Sequence, residues 1–87
     1  MAFGLSVEKV GLFAQQMSSK NKTKAPSVLV LVEGEILVEH QTCGSCRPKT
    51  TGLSKLGTYL ELEESVFYRV RNNTMLRAEY LVITTSE

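Results

Sequence analysis

The chain contains no aspartate, one histidine (His40), two cysteines, and no apolar run longer than Val28–Val32. With a single imidazole and no aspartate, hydrolytic chemistry has few groups to draw on. The glutamates fall in strand-like runs that converge on no visible partner. A glycine-rich phosphate loop, a Walker pattern and a nucleophile elbow are all missing. No enzyme is expected. Two cysteines spaced as Cys43-Gly-Ser-Cys46 do not make the disulfide framework of a small secreted domain. Val28–Val32 is far too short to span a bilayer, and no cationic stretch followed by an apolar segment opens the chain. These absences predict an intracellular, cytoplasmic protein with no membrane partner.

What is present fits a folded protein, since 43% of the 87 residues are hydrophobic and 22% charged. That length allows one domain over residues 1–87, with a core small enough that self-association would add stability; a homo-oligomer is expected. Ten Lys and Arg against nine acids leave the chain at +1. The charges are clumped, however. Basic residues gather at Lys20/Lys22/Lys24, Arg47/Lys49/Lys55 and Arg69/Arg71/Arg77, and acids at Glu33/Glu35/Glu39 and Glu61/Glu63/Glu64. A bipolar surface follows.

The strongest local pattern is Val66 to Thr84, where two runs rich in β-branched and aromatic residues flank Asn72-Asn73. Asn tolerates the positive φ of a two-residue turn, so the spacing predicts a β-hairpin closed there. Cross-strand partners share a face. One face then carries Val66, Tyr68, Val70, Met75, Leu81 and Ile83, and the other Phe67, Arg69, Arg71, Leu76, Tyr80 and Val82.

Upstream, Phe3, Val7, Val10, Ala14 and Met17 recur at helical spacing with Ser6 as a cap, while Phe3, Leu5 and Val7 alternate as in a strand. A helix over residues 6–17 is the reading adopted. Ser18–Lys24 is a polar, basic loop running to Pro26. Ser27 to His40 is the most β-prone stretch; its five-residue apolar run predicts a central strand buried on both faces, with Gly34 marking a bulge or a hairpin tip. Gln41–Gly52 reads as a loop or distorted hairpin tip, and Thr58–Glu63 as a strand with one wet face after a turn at Leu56-Gly57. The fold class predicted is mainly β: a small antiparallel sheet or OB-like barrel of four or five strands, with one N-terminal helix.

Three candidate sites emerge. His40, Cys43 and Cys46 have knuckle-like spacing for Zn²⁺, but a structural zinc site needs a fourth ligand, which would come from Glu39, water or another chain. Plain loop residues with reduced thiols are the expected reading, and no cofactor is predicted. A Cys-X-X-Cys redox pair lacks the βαβ setting that would lower a thiol pKa. The third candidate is a binding surface. Phe67 and Tyr80 offer stacking faces, while Lys20, Lys22, Lys24, Arg69 and Arg71 offer phosphate contacts, the materials of single-stranded nucleic-acid binding. The competing reading packs the aromatics in a core or subunit contact and pairs the arginines with Glu61/Glu63/Glu64.

Gly57-X-Tyr59, Ser65 ahead of Phe67, and Leu81-Val82, together with Phe13 and Lys24-Ala-Pro26, resemble the small OB-type single-stranded DNA-binding proteins of filamentous phages. Val32-Glu-Gly34-Glu-Ile36 is also similar to a strand common in OB folds. The resemblance implies a homodimer that coats single strands in an infected host, with contacts from Lys20, Lys22, Lys24, Phe67, Arg69, Arg71 and Tyr80. The alternative is a small viral or phage regulatory module that docks on a protein through a β-edge or aromatic face.

Overall fold

The computed structural model describes residues 4–42 and 47–86. Eight strands follow one another: β1 (Gly4–Leu12), β2 (Asn21–Lys22), β3 (Ser27–Glu33), β4 (Ile36–Gln41), β5 (Lys49–Leu53), β6 (Tyr59–Leu62), β7 (Phe67–Arg71) and β8 (Ala78–Ser86). They form two four-stranded sheets, sheet A in the order β1-β8-β3-β6 and sheet B in the order β2-β7-β4-β5. Every strand pair is antiparallel. The β class predicted from sequence holds. Instead of the expected single small sheet, the chain builds two, and no helix long and apolar enough to cross a membrane occurs among the described residues.

Strand alternation assigns the core. Leu29, Leu31, Leu62, Ala78 and Tyr80 of sheet A meet Ile36, Val38, Leu53 and Val70 of sheet B, each at most 4% exposed. Their neighbours one residue along point outward, as the period of two requires. Leu29 and Leu31 are β3 residues whose partners on β8 are Val82 and Tyr80, so this inner layer is continuous across the middle of sheet A.

The chain leaves sheet A for sheet B at Gly34, between β3 and β4. This is a corner between two sheets, replacing the bulge expected within one long strand. Gly34 has φ of 75°, and a Cβ on it would lie 2.6 Å from the Arg77 carbonyl oxygen. Only glycine satisfies both the backbone and the space.

Two further predictions are corrected. Residues 6–17 are not helical: β1 runs antiparallel to β8 from Gly4 to Leu12. Leu5 and Val7 lie on its outer side while Val10 and Leu12 turn inward, so apolar residues shift from odd to even positions within one strand and imitate a helical repeat. The hairpin at Asn72-Asn73 does not form either. β7 pairs with β4 and β2, whereas β8 pairs with β1 and β3. Residues 72–77 therefore cross from one sheet to the other. Asn72, fully buried, holds this crossing: its amide Nδ2 donates to the carbonyls of Leu76 (2.7 Å), Phe13 (3.1 Å) and Leu12 (3.4 Å), and its Oδ1 accepts from Thr74 N and Oγ1.

Candidate functional site

The two sheets present different outer faces. On sheet A, the register places Val7, Ile83 and Val28 in one row, and Lys9, Leu81, Val30 and Tyr59 in the next. Leu5 lies beyond the first row on β1, and Glu61 pairs with Val28 from β6. Leu5, Val7 and Tyr59 are 71%, 59% and 62% exposed, and Val28, Val30, Leu81 and Ile83 are half-buried. An antiparallel sheet with one wet side normally alternates apolar inside with polar outside. Sheet A is apolar on both.

At one end of this face Glu79 is largely buried between Lys9 (3.1 Å) and Arg77 (2.9 Å). Gly11 lies opposite Glu79 in the register and leaves room for the Arg77 guanidinium, since a Cβ there would lie 2.9 Å from its Nη2. This ion cluster closes the apolar patch on the β1 side. On the β6 side the edge charge is Glu61.

The outer face of sheet B carries most of the residues singled out from the sequence. Phe67, Arg69 and Arg71 alternate outward along β7, and Lys20 and Lys22 come from the segment that covers β7's edge. The ammonium groups of Lys20 and Lys22 stand 5.4 and 5.3 Å from the centre of the Phe67 ring, within cation–π range. Arg71 meets Glu39 at 2.9 Å. Lys20, Glu39, Gln41, Pro48, Phe67 and Arg69 line a recess of about 200 Å³. Lys24 is exposed and outside that recess. Tyr80 is not on this face at all. It lies 3% exposed on the inner side of sheet A, because β8 belongs to the other sheet.

Inside the barrel Tyr80 stays a phenol. Burial, helped by Tyr68 and Glu8 and opposed by a hydrogen bond with Ser18, pushes its pKa from 10.0 to about 12. Burial and then Glu8 also raise Tyr68. A raised phenol pKa gives stability that is complete below the unfolded value of 10 and is lost as pH rises through about 12. Denaturant titrations at pH 8, 10 and 11.5 are expected to show stability falling only above pH 10, with a shallower fall in Tyr80→Phe. An equal fall in both proteins would contradict this.

His40 also faces inward, with Nε2 3.1 Å from Thr51 Oγ1. Burial, then the charge of Lys49, lowers its pKa. Cys43 and Cys46, the other two members of the proposed zinc knuckle, lie outside the described residues. Among the described residues no three His, Cys or Glu side chains group around one point.

Two four-stranded antiparallel sheets in this strand order, closed over one core, make the double-stranded β-helix of cupins. Solved structures share it. The Drosophila melanogaster CENP-C cupin domain superposes with a TM-score of 0.80 at 21% identity over 92% of this chain. CENP-C bound to CAL1 superposes at 0.81 with 20% identity over 92% of the chain. An RmlC-like cupin family protein from Methanocaldococcus jannaschii matches at 0.73 with 15% identity, over 92% of this chain and 68% of its own. The chain spans 59% and 63% of the two CENP-C structures. No family model matches the sequence, and neither does any curated protein.

The likeness overturns the resemblance to OB-type phage proteins, and with it the OB-like barrel and the reading as a single-stranded nucleic-acid-binding protein. Short motifs such as Gly57-X-Tyr59 and Leu81-Val82 recur in many small β proteins and carry no fold of their own. Sequence reasoning missed the outer face of sheet A. A signal was available in Val28–Val32, whose unbroken apolar run predicts burial on both sides of β3.

Proposed function

We propose that the chain is a cupin-fold protein-interaction module, not an enzyme, that pairs with a second copy through the outer face of sheet A. The observation that carries this is the pair of adjacent rows, Val7, Ile83 and Val28 in one and Leu81 and Val30 in the next, on the side of sheet A facing away from the core. Four strands about 4.8 Å apart and three side-chain rows about 6.8 Å apart make a face roughly 20 Å square. Two such faces bury about 800 Å², below the standard size of a stable interface and in the range of weak, transient pairing. The dimer is therefore expected to dissociate in the micromolar range.

Edge charge favours a second copy as the occupant. Lys9 on β1 marks one edge of the face and Glu61 on β6 the other. A twofold axis running along the strands sets β1 of one protomer over β6 of its partner, so that Lys9, which also pairs with Glu79 of its own protomer, comes within one side-chain row of the partner's Glu61 at both rims. The interior supports a binding role too, since it is filled by Leu29, Leu31, Val38 and Val70. CENP-C, solved with CAL1, is a fold neighbour that binds a protein.

Charge exchange at the rim tests the pairing. Lys9→Glu and Glu61→Lys are each expected to weaken the dimer by about fivefold, measured by light scattering across a dilution series, and their combination is expected to recover most of the loss. Dimers unaffected by all three variants would place the twofold axis elsewhere. Wild-type protein that scatters as a monomer throughout would sink the reading itself.

A further inference from the structure

The outer face of sheet B faces away from sheet A and stays free when two copies pair through sheet A. Its chemistry is different. Lys20 and Lys22 stand over the Phe67 ring, Arg69 and Glu39 line the same recess, and Arg71, at the far end of β7, engages Glu39. Two ammonium groups share one aromatic ring at 5.3 and 5.4 Å. The ring's negative face attracts each of them, but they repel one another, and no described carboxylate forms an ion pair with either. The Nε atoms of Arg69 and Arg71 are shielded from solvent with no hydrogen-bond partner. Lys20, Lys22 and Arg69 thus form a group of cations beside an apolar ring with no ion pair among the described residues, and the local potential there is positive.

We infer that this face binds an acidic segment of a partner protein, held as an extended chain along β7 with glutamate or aspartate side chains at alternate positions. The fit rests on period and size. Arg69 and Arg71 stand two residues apart on a strand, about 6.8 Å, and alternate side chains of an extended peptide repeat at the same spacing. The recess of about 200 Å³ is walled on its apolar side by Phe67 and Pro48 and on its polar side by Lys20 and Arg69, with Gln41 and the Arg71-paired Glu39 completing the lining. It accommodates one or two carboxylate side chains with their methylenes against the ring, and guanidinium groups bind carboxylates through paired donors. A single strand of nucleic acid asks for something else, a basic groove that follows many phosphates. Here the recess itself offers two cations, Lys20 and Arg69.

The inference does not depend on dimerisation, and its test reads binding directly. A fluorescein-labelled deca-glutamate peptide is titrated with the full chain by anisotropy at about 20 and about 200 mM salt, beside labelled deca-lysine and a labelled ten-nucleotide oligothymidylate. Deca-glutamate is expected to bind at low salt and to weaken at least tenfold at high salt, and deca-lysine is expected not to bind. Arg69→Gln, and separately the pair Lys20→Gln/Lys22→Gln, are expected to weaken binding about tenfold. Lys20 and Lys22 are exposed, so their double variant keeps the fold, and an unchanged melting temperature checks it. Absence of deca-glutamate binding at low salt, or undiminished binding by the lysine double variant, would overturn the inference. So would oligothymidylate binding more tightly through the same residues.

Discussion

Replacing Asn72 by alanine is expected to lower stability by about 3 kcal/mol, and the melting temperature by about 15 °C for a chain of this size. The effect is large because one side chain closes three stretches of backbone. Its Nδ2 serves the carbonyls of Leu12 and Phe13 at the end of β1 and of Leu76 ahead of β8, while its Oδ1 takes the Thr74 amide and hydroxyl at 3.0 and 2.7 Å. With Asn72 0% exposed, no water replaces these bonds without a cavity opening. Alanine removes every side-chain partner at once. Aspartate keeps the oxygen for Thr74 but sets a carboxylate against three carbonyls, so Asn72→Asp is expected to be no better. Urea titration measures both, and a loss under 1 kcal/mol in the alanine variant would show that the crossing is held by other means.

The second large effect is on association. Val30 lies on β3 between Leu81 of β8 and Tyr59 of β6, near the middle of the outer face. Val30→Glu puts a carboxylate on each side of a twofold interface, close to the axis, where both lose water without gaining a partner. A penalty of about 3 kcal/mol corresponds to a dissociation constant raised more than 100-fold. The fold itself is expected to lose less than about 1 kcal/mol, because the position is half-buried on the protomer's surface and not in its core. This separation is the useful property of the variant. Loss of pairing with an intact thermal transition identifies the surface, whereas unfolding would identify only a strand residue.

How legible all this was in the sequence depends on the range of the interactions involved. Alternation is local, and it was read correctly where it was clean. Val66 and Val70 turn inward and Phe67, Arg69 and Arg71 outward. Tyr59–Leu62 is a strand with Leu62 inside and Glu61 outside. Lys20, Lys22 and Phe67 are named together as candidate binding residues, but nothing in the sequence says that the two ammonium groups meet the ring. Pairing is non-local, and there the reading failed. Asn72-Asn73 has the composition of a hairpin turn, and nothing near it in the sequence reveals that its amide is spent on Leu12 and Phe13, some 60 residues away. That error moved Tyr80 from the interior to the surface. Gly34 was flagged, but that it turns a corner between sheets depends on the Arg77 carbonyl 2.6 Å from where its Cβ would be.

The misreading of β1 and the reading of Val28–Val32 share one cause. Leu5, Val7, Val28 and Val30 are apolar side chains on the outside of a sheet. One pattern looked helical and the other looked buried on both faces because both strands carry a hydrophobic side for which one protomer provides no cover. A partner surface reconciles sequence with structure.

Sedimentation equilibrium of the wild-type chain over a hundredfold range of concentration puts that claim to its most direct test. The expected result is a mass that climbs from 9.7 kDa to twice that value across the micromolar range, with Val30→Glu remaining at 9.7 kDa. A wild-type mass of 9.7 kDa at every concentration would contradict it.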